Sequence, residues 1–138
     1  MPSASNEIVV NRPVADVFAF LADAENDARW RPGVLEIKHA SDTTYRQTVK
    51  GPGGRKISAD VDITESRPNE LIAFRATSGP VRPRGRYTLA PDGDGTRVRF
   101  ELEAELGGLK RLLAPMVQKT MDSEVAALAN LKRLLEEG

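Results

Sequence analysis

The apolar period changes along this chain, and few architectures accommodate the change. Between Val34 and Leu106 apolar residues recur at every second position. Ile57, Ala59, Val61 and Ile63 alternate with Ser58, Asp60, Asp62 and Thr64, and Leu35 and Ile37 alternate with Glu36 and Lys38. The clearest run sets Val98, Phe100, Leu102, Ala104 and Leu106 against Arg97, Arg99, Glu101, Glu103 and Glu105. Such alternation buries one sheet face and wets the other, the habit of antiparallel sheets. After Gly107-Gly108 the period becomes helical, with Leu109, Leu112, Leu113, Met116, Val117, Leu128, Leu131 and Leu135 on one side. The pattern predicts a helix from near Leu109 of about 27 residues, roughly 40 Å long. Pro115 predicts a kink or irregular start in it.

Ahead of the sheet, Ile8-Val9-Val10 reads as a strand ending at Asn11-Arg12-Pro13, where proline suits the first turn of a helix. Val14, Val17, Phe18 and Leu21 form its apolar stripe, and Asp23 is placed to cap a second short helix running to about Trp30, stopped by Pro32-Gly33. Gly51-Pro52-Gly53-Gly54, Pro68-Asn69 and Pro91-Asp92-Gly93-Asp94-Gly95 are turns by composition. Six strands follow the N-terminal one. The order strand, two short helices, six strands and a long helix predicts an α+β domain with helices on one sheet face. At 138 residues it is expected to be one domain over residues 1–138.

Composition excludes several classes. Lys plus Arg number 20 and Asp plus Glu number 20, so no accumulated positive charge is available to hold nucleic acid or an anionic bilayer. The chain has no cysteine, which removes disulfides, thiolate nucleophiles and cysteine-rich metal sites. No apolar run reaches the roughly 20 residues of a bilayer span, and the first residues lack the apolar stretch of a secretory signal. The expectation is a cytoplasmic protein without membrane insertion, nucleic-acid partner, metal or cofactor.

The N-terminal strand running into Pro13-Val14-Ala15-Asp16-Val17-Phe18, then Trp30-Arg31-Pro32-Gly33-Val34 and Glu65-Ser66-Arg67-Pro68-Asn69-Glu70-Leu71, resembles the polyketide cyclase/dehydrase-like families. These belong to the helix-grip superfamily (SRPBCC) that includes the START domains and the birch-pollen-allergen-like proteins. The resemblance covers nearly the whole chain. It implies a seven-stranded curved antiparallel sheet wrapped around a long C-terminal helix, with a cavity between them for an apolar or aromatic molecule. It implies no particular reaction, because fold does not fix function.

Candidate site residues follow from parity and the helical wheel. His39, the only histidine, either shares the inner face with Ile37, where an imidazole suits proton transfer, or sits at a strand end near solvent. Glu124 falls within the apolar arc of the helix near Thr120, where a carboxylate can act as acid, base or ligand anchor, or it reaches solvent or an arginine from the edge of that arc. Tyr87 is the third proton-transfer candidate. Trp30, Tyr45, Gln47, Phe74, Phe100, Leu113, Met116 and Val117 complete the expected cavity wall, with plain core packing as their alternative fate. The glycine-rich Gly51–Lys56 segment precedes a strand and reads as a tight turn rather than a phosphate loop. Arg82, Arg84 and Arg86 are expected on the wet face, paired with Glu101, Glu103 and Glu105.

Three functions fit. The first is binding of a small hydrophobic or aromatic, lipid- or polyketide-like molecule in the cavity, and a homodimer is compatible with it. The second is cyclisation or dehydration of such a molecule. The third is a cochaperone-like interaction module, which would need an exposed apolar patch on the outer sheet face.

Overall fold

In the computed structural model, which describes residues 2–51, 54–79 and 81–137, the alternating segments form one antiparallel sheet. Its strands are β1 (Ser3–Val10), β2 (Val34–His39), β3 (Thr44–Lys50), β4 (Lys56–Ser58), β5 (Val61–Arg67), β6 (Leu71–Ala76), β7 (Arg84–Asp92) and β8 (Gly95–Glu103). Seven lie in the order β1-β8-β7-β6-β5-β3-β2, and the short β4 pairs with β3 beside that path. Helix α1 (Val14–Ala22) and a 3-10 helix at Ala24–Arg29 follow β1. A second 3-10 helix at Gly108–Leu113 precedes α2 (Ala114–Ala126) and α3 (Leu128–Glu137). Helix α2 packs on β1 and β8, α3 on β1, and α1 on β7 and β8. This is the curved sheet gripping a C-terminal helix that the resemblance implies.

Local chemistry accounts for the element ends. Asp23 caps the first 3-10 helix, its carboxylate accepting from the Glu25 amide at 3.1 Å. Asn69, at φ 65°, turns the β5–β6 hairpin, and Gly93, at φ 58°, turns β7 into β8. Of the segment read as a glycine turn, Pro52 and Gly53 lie outside the described residues; strand β4 follows it.

Along β8 the alternation holds. Val98 and Phe100 are fully buried and Leu102 nearly so, as is Ala104 just past the strand's end at Glu103, short of the predicted Leu106, while the outward residues form ion pairs. Arg86 meets Glu101 at 3.1 Å, Arg84 meets Glu103, and Arg97 meets Glu7 of β1 at 2.7 Å. Each exposed pair contributes little alone, but together they keep the outer face charged. Arg82 precedes β7 and stands outside this ladder, bonded to the Gly79 carbonyl.

Three expectations need correction. The C-terminal helix starts irregularly, as Pro115 predicts, but does not then run unbroken. Pro115 occupies the first turn of α2, because its ring obstructs the carbonyl four residues back, so Gly108–Leu113 adopts the tighter 3-10 form. A second interruption falls at Ala127, where the Val125 carbonyl accepts from the Ala127 amide and from Asn6 Nδ2 of β1 at 3.0 Å. In β2 a register shift between Val34 and Glu36 turns Leu35 outward, 44% exposed, while Val34 and Ile37 are buried. The run Ile57–Ile63 is two strands, not one. It breaks at Ala59-Asp60, where the Asp60 carboxylate accepts the Gln47 amide at 3.2 Å and the Asp60 amide donates to Ser78 Oγ at 2.8 Å.

Phe100 stacks among Trp30, Tyr87 and Phe74 with ring centroids 4.6 to 6.4 Å away. Phe100→Ala is expected to cost about 3–5 kcal/mol in urea unfolding. A loss below about 0.5 kcal/mol would put Phe100 outside the packed core.

Candidate ligand-binding site

Between the inner face of the sheet and α2 lies a cavity of about 380 Å³, within the usual range for small-molecule sites. Its wall is mostly aliphatic. Ile37, Val49, Ile57, Val61, Ile63 and Ile72 come from the strands, and Val81 and Pro83 from the segment before β7. Leu113 and Met116 line the cavity yet are 38% and 45% exposed, so they form its rim, beside the largely bare Leu112.

Buried charge enters this apolar wall at a cluster of three side chains, Asp27, Arg31 and Glu124. The amides of Trp30 and Arg31 donate to the Asp27 carbonyl at 3.2 and 2.8 Å, extending the turn past the first 3-10 helix. That turn sets the Arg31 side chain four residues on, directly over the Asp27 carboxylate. Arg31 Nη1 donates to Asp27 Oδ2 at 3.1 Å, and Arg31 Nε donates to Glu124 Oε2 on α2 at 2.7 Å. All three side chains are at least four-fifths buried. Gly33 leaves room for Glu124, since a Cβ at Gly33 would stand 2.6 Å from Glu124 Oε1.

Burial dominates the ionisation of this cluster. Desolvation pushes Asp27 up to about 6, against the pull of Arg31. Arg31 is itself desolvated, yet the two carboxylates hold it above the ordinary guanidinium range. The Tyr87 phenol is pushed well above its usual value, chiefly by burial. Its hydroxyl lies beside Arg31 with no partner at hydrogen-bonding geometry. Asp27 Oδ1 and Gln47 Oε1 are likewise buried and unpartnered.

The expected wall residues divide. Gln47, Phe74, Tyr87, Leu113, Met116, Val117, Thr120 and Glu124 line the cavity. Trp30, Tyr45 and Phe100 do not, being buried in the packing around it. Tyr45 is held by the Ala24 amide, which donates to its hydroxyl at 3.4 Å, and by His39, whose ring lies 4.3 Å away. His39 stands outside the cavity at the end of β2, half exposed, with Nδ1 3.0 Å from Glu25. Asp23, Glu25 and His39 gather their ligand atoms within 4.8 Å on the surface, a grouping that sequence spacing did not suggest. Glu124 meets an arginine, as one of its two readings required, but does so inside the cavity.

Sequence reasoning missed Asp27, Arg31 and Gly33. The four-residue spacing of Asp27 and Arg31 was available as a signal, whereas Trp30-Arg31-Pro32-Gly33-Val34 stands out in the sequence only as a marker of topology.

A curved antiparallel sheet packed around a C-terminal helix, with an apolar cavity and a buried ion cluster between them, is the helix-grip fold. The chain belongs to the family described as polyketide cyclase/dehydrase and lipid transport, whose profile matches residues 1–136. A search of curated protein sequences gives no match. Among solved structures, a protein from Thermus thermophilus shares 23% identity at a TM-score of 0.81, covering 96% of this chain and 95% of that one. A START superfamily protein from Mycobacterium smegmatis shares 19% identity at a TM-score of 0.74, over 98% and 94% of the two chains. The di-domain ARO/CYC protein BexL from the BE-7585A biosynthetic pathway shares 21% at 0.78, over 99% of this chain but 47% of that one. These similarities establish the fold. Among the described residues, no helix is long and apolar enough to cross a membrane.

The raised Asp27 ionisation carries a sign. Between its unfolded value of 3.8 and about 6, the folded chain keeps a proton that the unfolded chain has lost. Asp27's contribution to stability is therefore fully present below the unfolded value and is lost as pH rises through about 6. The melting temperature of the wild type should fall relative to Asp27→Asn across that window and stay level above it. A constant difference from pH about 4 to 7 would contradict the assignment.

Proposed function

We propose that this protein binds a small hydrophobic or aromatic molecule, lipid- or polyketide-like, in the cavity between its sheet and α2. The observation that carries the reading is the unfilled volume of about 380 Å³ with its mainly aliphatic wall. Interiors normally pack to crystal-like density, so an apolar void of this size is retained at a cost in stability, and a ligand offsets that cost. The family description, which includes lipid transport, agrees.

Enzymatic cyclisation or dehydration is the second reading, favoured by one specific observation. Asp27, Arg31, Glu124 and Tyr87 converge on the same cavity, and a carboxyl group titrating near 6 is suited to proton transfer. The interaction-module reading finds less support. Of the exposed large hydrophobics among the described residues, only Val9 and Leu35 lie on strands, and these belong to β1 and β2 at opposite edges of the sheet.

Native mass spectrometry of the protein purified from its own organism should reveal a co-purifying apolar molecule. Returning that molecule to excess protein separates carriage, in which its mass is unchanged, from dehydration, in which one water is lost. An environment-sensitive dye should also enter the cavity, and occupancy at about 100 times the dissociation constant should add roughly 2.7 kcal/mol to stability. Val117→Trp, which fills the chamber, should abolish uptake while the fold persists. Failure of every apolar probe to bind would end the ligand-binding reading.

A further inference from the structure

The cavity's polar groups can be sorted by what they still offer a ligand. Arg31 already donates to Asp27 and to Glu124. Gln47 Nε2 donates to the Ala59 carbonyl at 3.0 Å. Three residues of the wall keep a buried side-chain atom without a partner: Asp27 Oδ1, Gln47 Oε1 and the Tyr87 hydroxyl. Two of these atoms accept hydrogen bonds only, and the third can donate or accept. The cluster of two carboxylates and one guanidinium also carries a net negative charge when ionised. Lys50, the other cation of the wall, is exposed, so water screens it.

We propose that the cavity selects a neutral ligand whose polar end presents hydrogen-bond donors, an alcohol or phenol rather than a carboxylate, with Asp27 Oδ1 and Gln47 Oε1 as the acceptors that read it. The proposal deepens the ligand-binding reading and rests on it. A ligand carboxylate would bring acceptors to acceptors and a negative charge beside a buried carboxylate, an arrangement that costs the desolvation of both without a compensating bond. A ligand hydroxyl would instead fill a vacancy for which the protein already bears the desolvation cost. The same logic disfavours free fatty acids relative to the matching alcohols.

Three shape-matched probes test this with the intact protein: naphthalene, 2-naphthol and 2-naphthoate, titrated by calorimetry or intrinsic fluorescence near pH about 7.5, above the Asp27 value of about 6. The wild type should bind 2-naphthol at least about tenfold more tightly than 2-naphthoate. Asp27→Asn should shrink that ratio by admitting the carboxylate. Gln47→Leu should weaken 2-naphthol several-fold relative to naphthalene. Should Asp27→Asn fail to fold, the wild-type ranking and Gln47→Leu still decide. Equal affinity for 2-naphthol and 2-naphthoate, with naphthalene bound, overturns the selectivity and leaves the cavity reading standing. If no probe binds, naphthalene included, both fall.

Discussion

Arg31 is the residue on which the interior of this protein depends. Its guanidinium joins the turn after the first 3-10 helix to α2, two elements far apart in the chain, by bonds to Asp27 at 3.1 Å and Glu124 at 2.7 Å. The same side chain lies 5.8 Å from the Phe100 ring and beside the Tyr87 hydroxyl, so it also touches the aromatic floor. Burying three charges is expensive, and hydrophobic replacements are often no less stable. Breaking one partner is a different matter, because it strands a buried charge at about 3–5 kcal/mol. The cluster therefore ties α2 to the turn after the first 3-10 helix more than it adds to net stability.

The empty volume has a second cause in the sheet. Ala59, Ala76 and Gly79 present little or no side chain along the wall, and register shifts in β2 and β5 add the local twist that curls the strands. The larger aromatic residues gather on one side of the space, where Phe74 and Tyr87 line it, rather than filling it. Trp30, Tyr87, Phe74 and Phe100 stack on one another within 6.4 Å, making a rigid base on one side of the chamber. Rigid aromatic packing beneath slender aliphatic walls leaves a preformed hollow rather than a collapsed core.

How much of this could be read from the residues follows from the range of the interactions involved. The alternation along β8, the turns at Asn69 and Gly93 and the Asp23 cap are decided by neighbours in sequence, and each was legible there. The interruption at Ala127 was not, because Val125, Ala126, Ala127 and Leu128 contain no helix breaker, and the competing bond comes from Asn6 across the sheet. The break at Asp60 likewise depends on Gln47 and Ser78. Leu35 was misplaced because a bulge shifts parity by one residue, and alternation cannot reveal a bulge. Within the cavity, Glu124 stood out as a charge in an apolar arc. Asp27 did not, because in a short 3-10 segment no apolar stripe exists against which a misplaced carboxylate would show.

Unpartnered buried polar atoms are rare in folded proteins, since each costs about 1–3 kcal/mol. Four side-chain atoms of this kind occur among the described residues: Asp27 Oδ1, Trp30 Nε1, Gln47 Oε1 and Tyr87 OH. If they were mere packing errors they would be scattered through the core. Instead Asp27, Gln47 and Tyr87 all belong to the wall of one cavity, and only Trp30 does not. Sequences that satisfy local rules elsewhere tend to break them where a site is built. The concentration of unmet hydrogen-bonding capacity on an otherwise aliphatic surface is thus a second argument for a ligand, independent of the volume. It also adds what volume alone cannot: the ligand proposed above is apolar over most of its length and donates at its polar end.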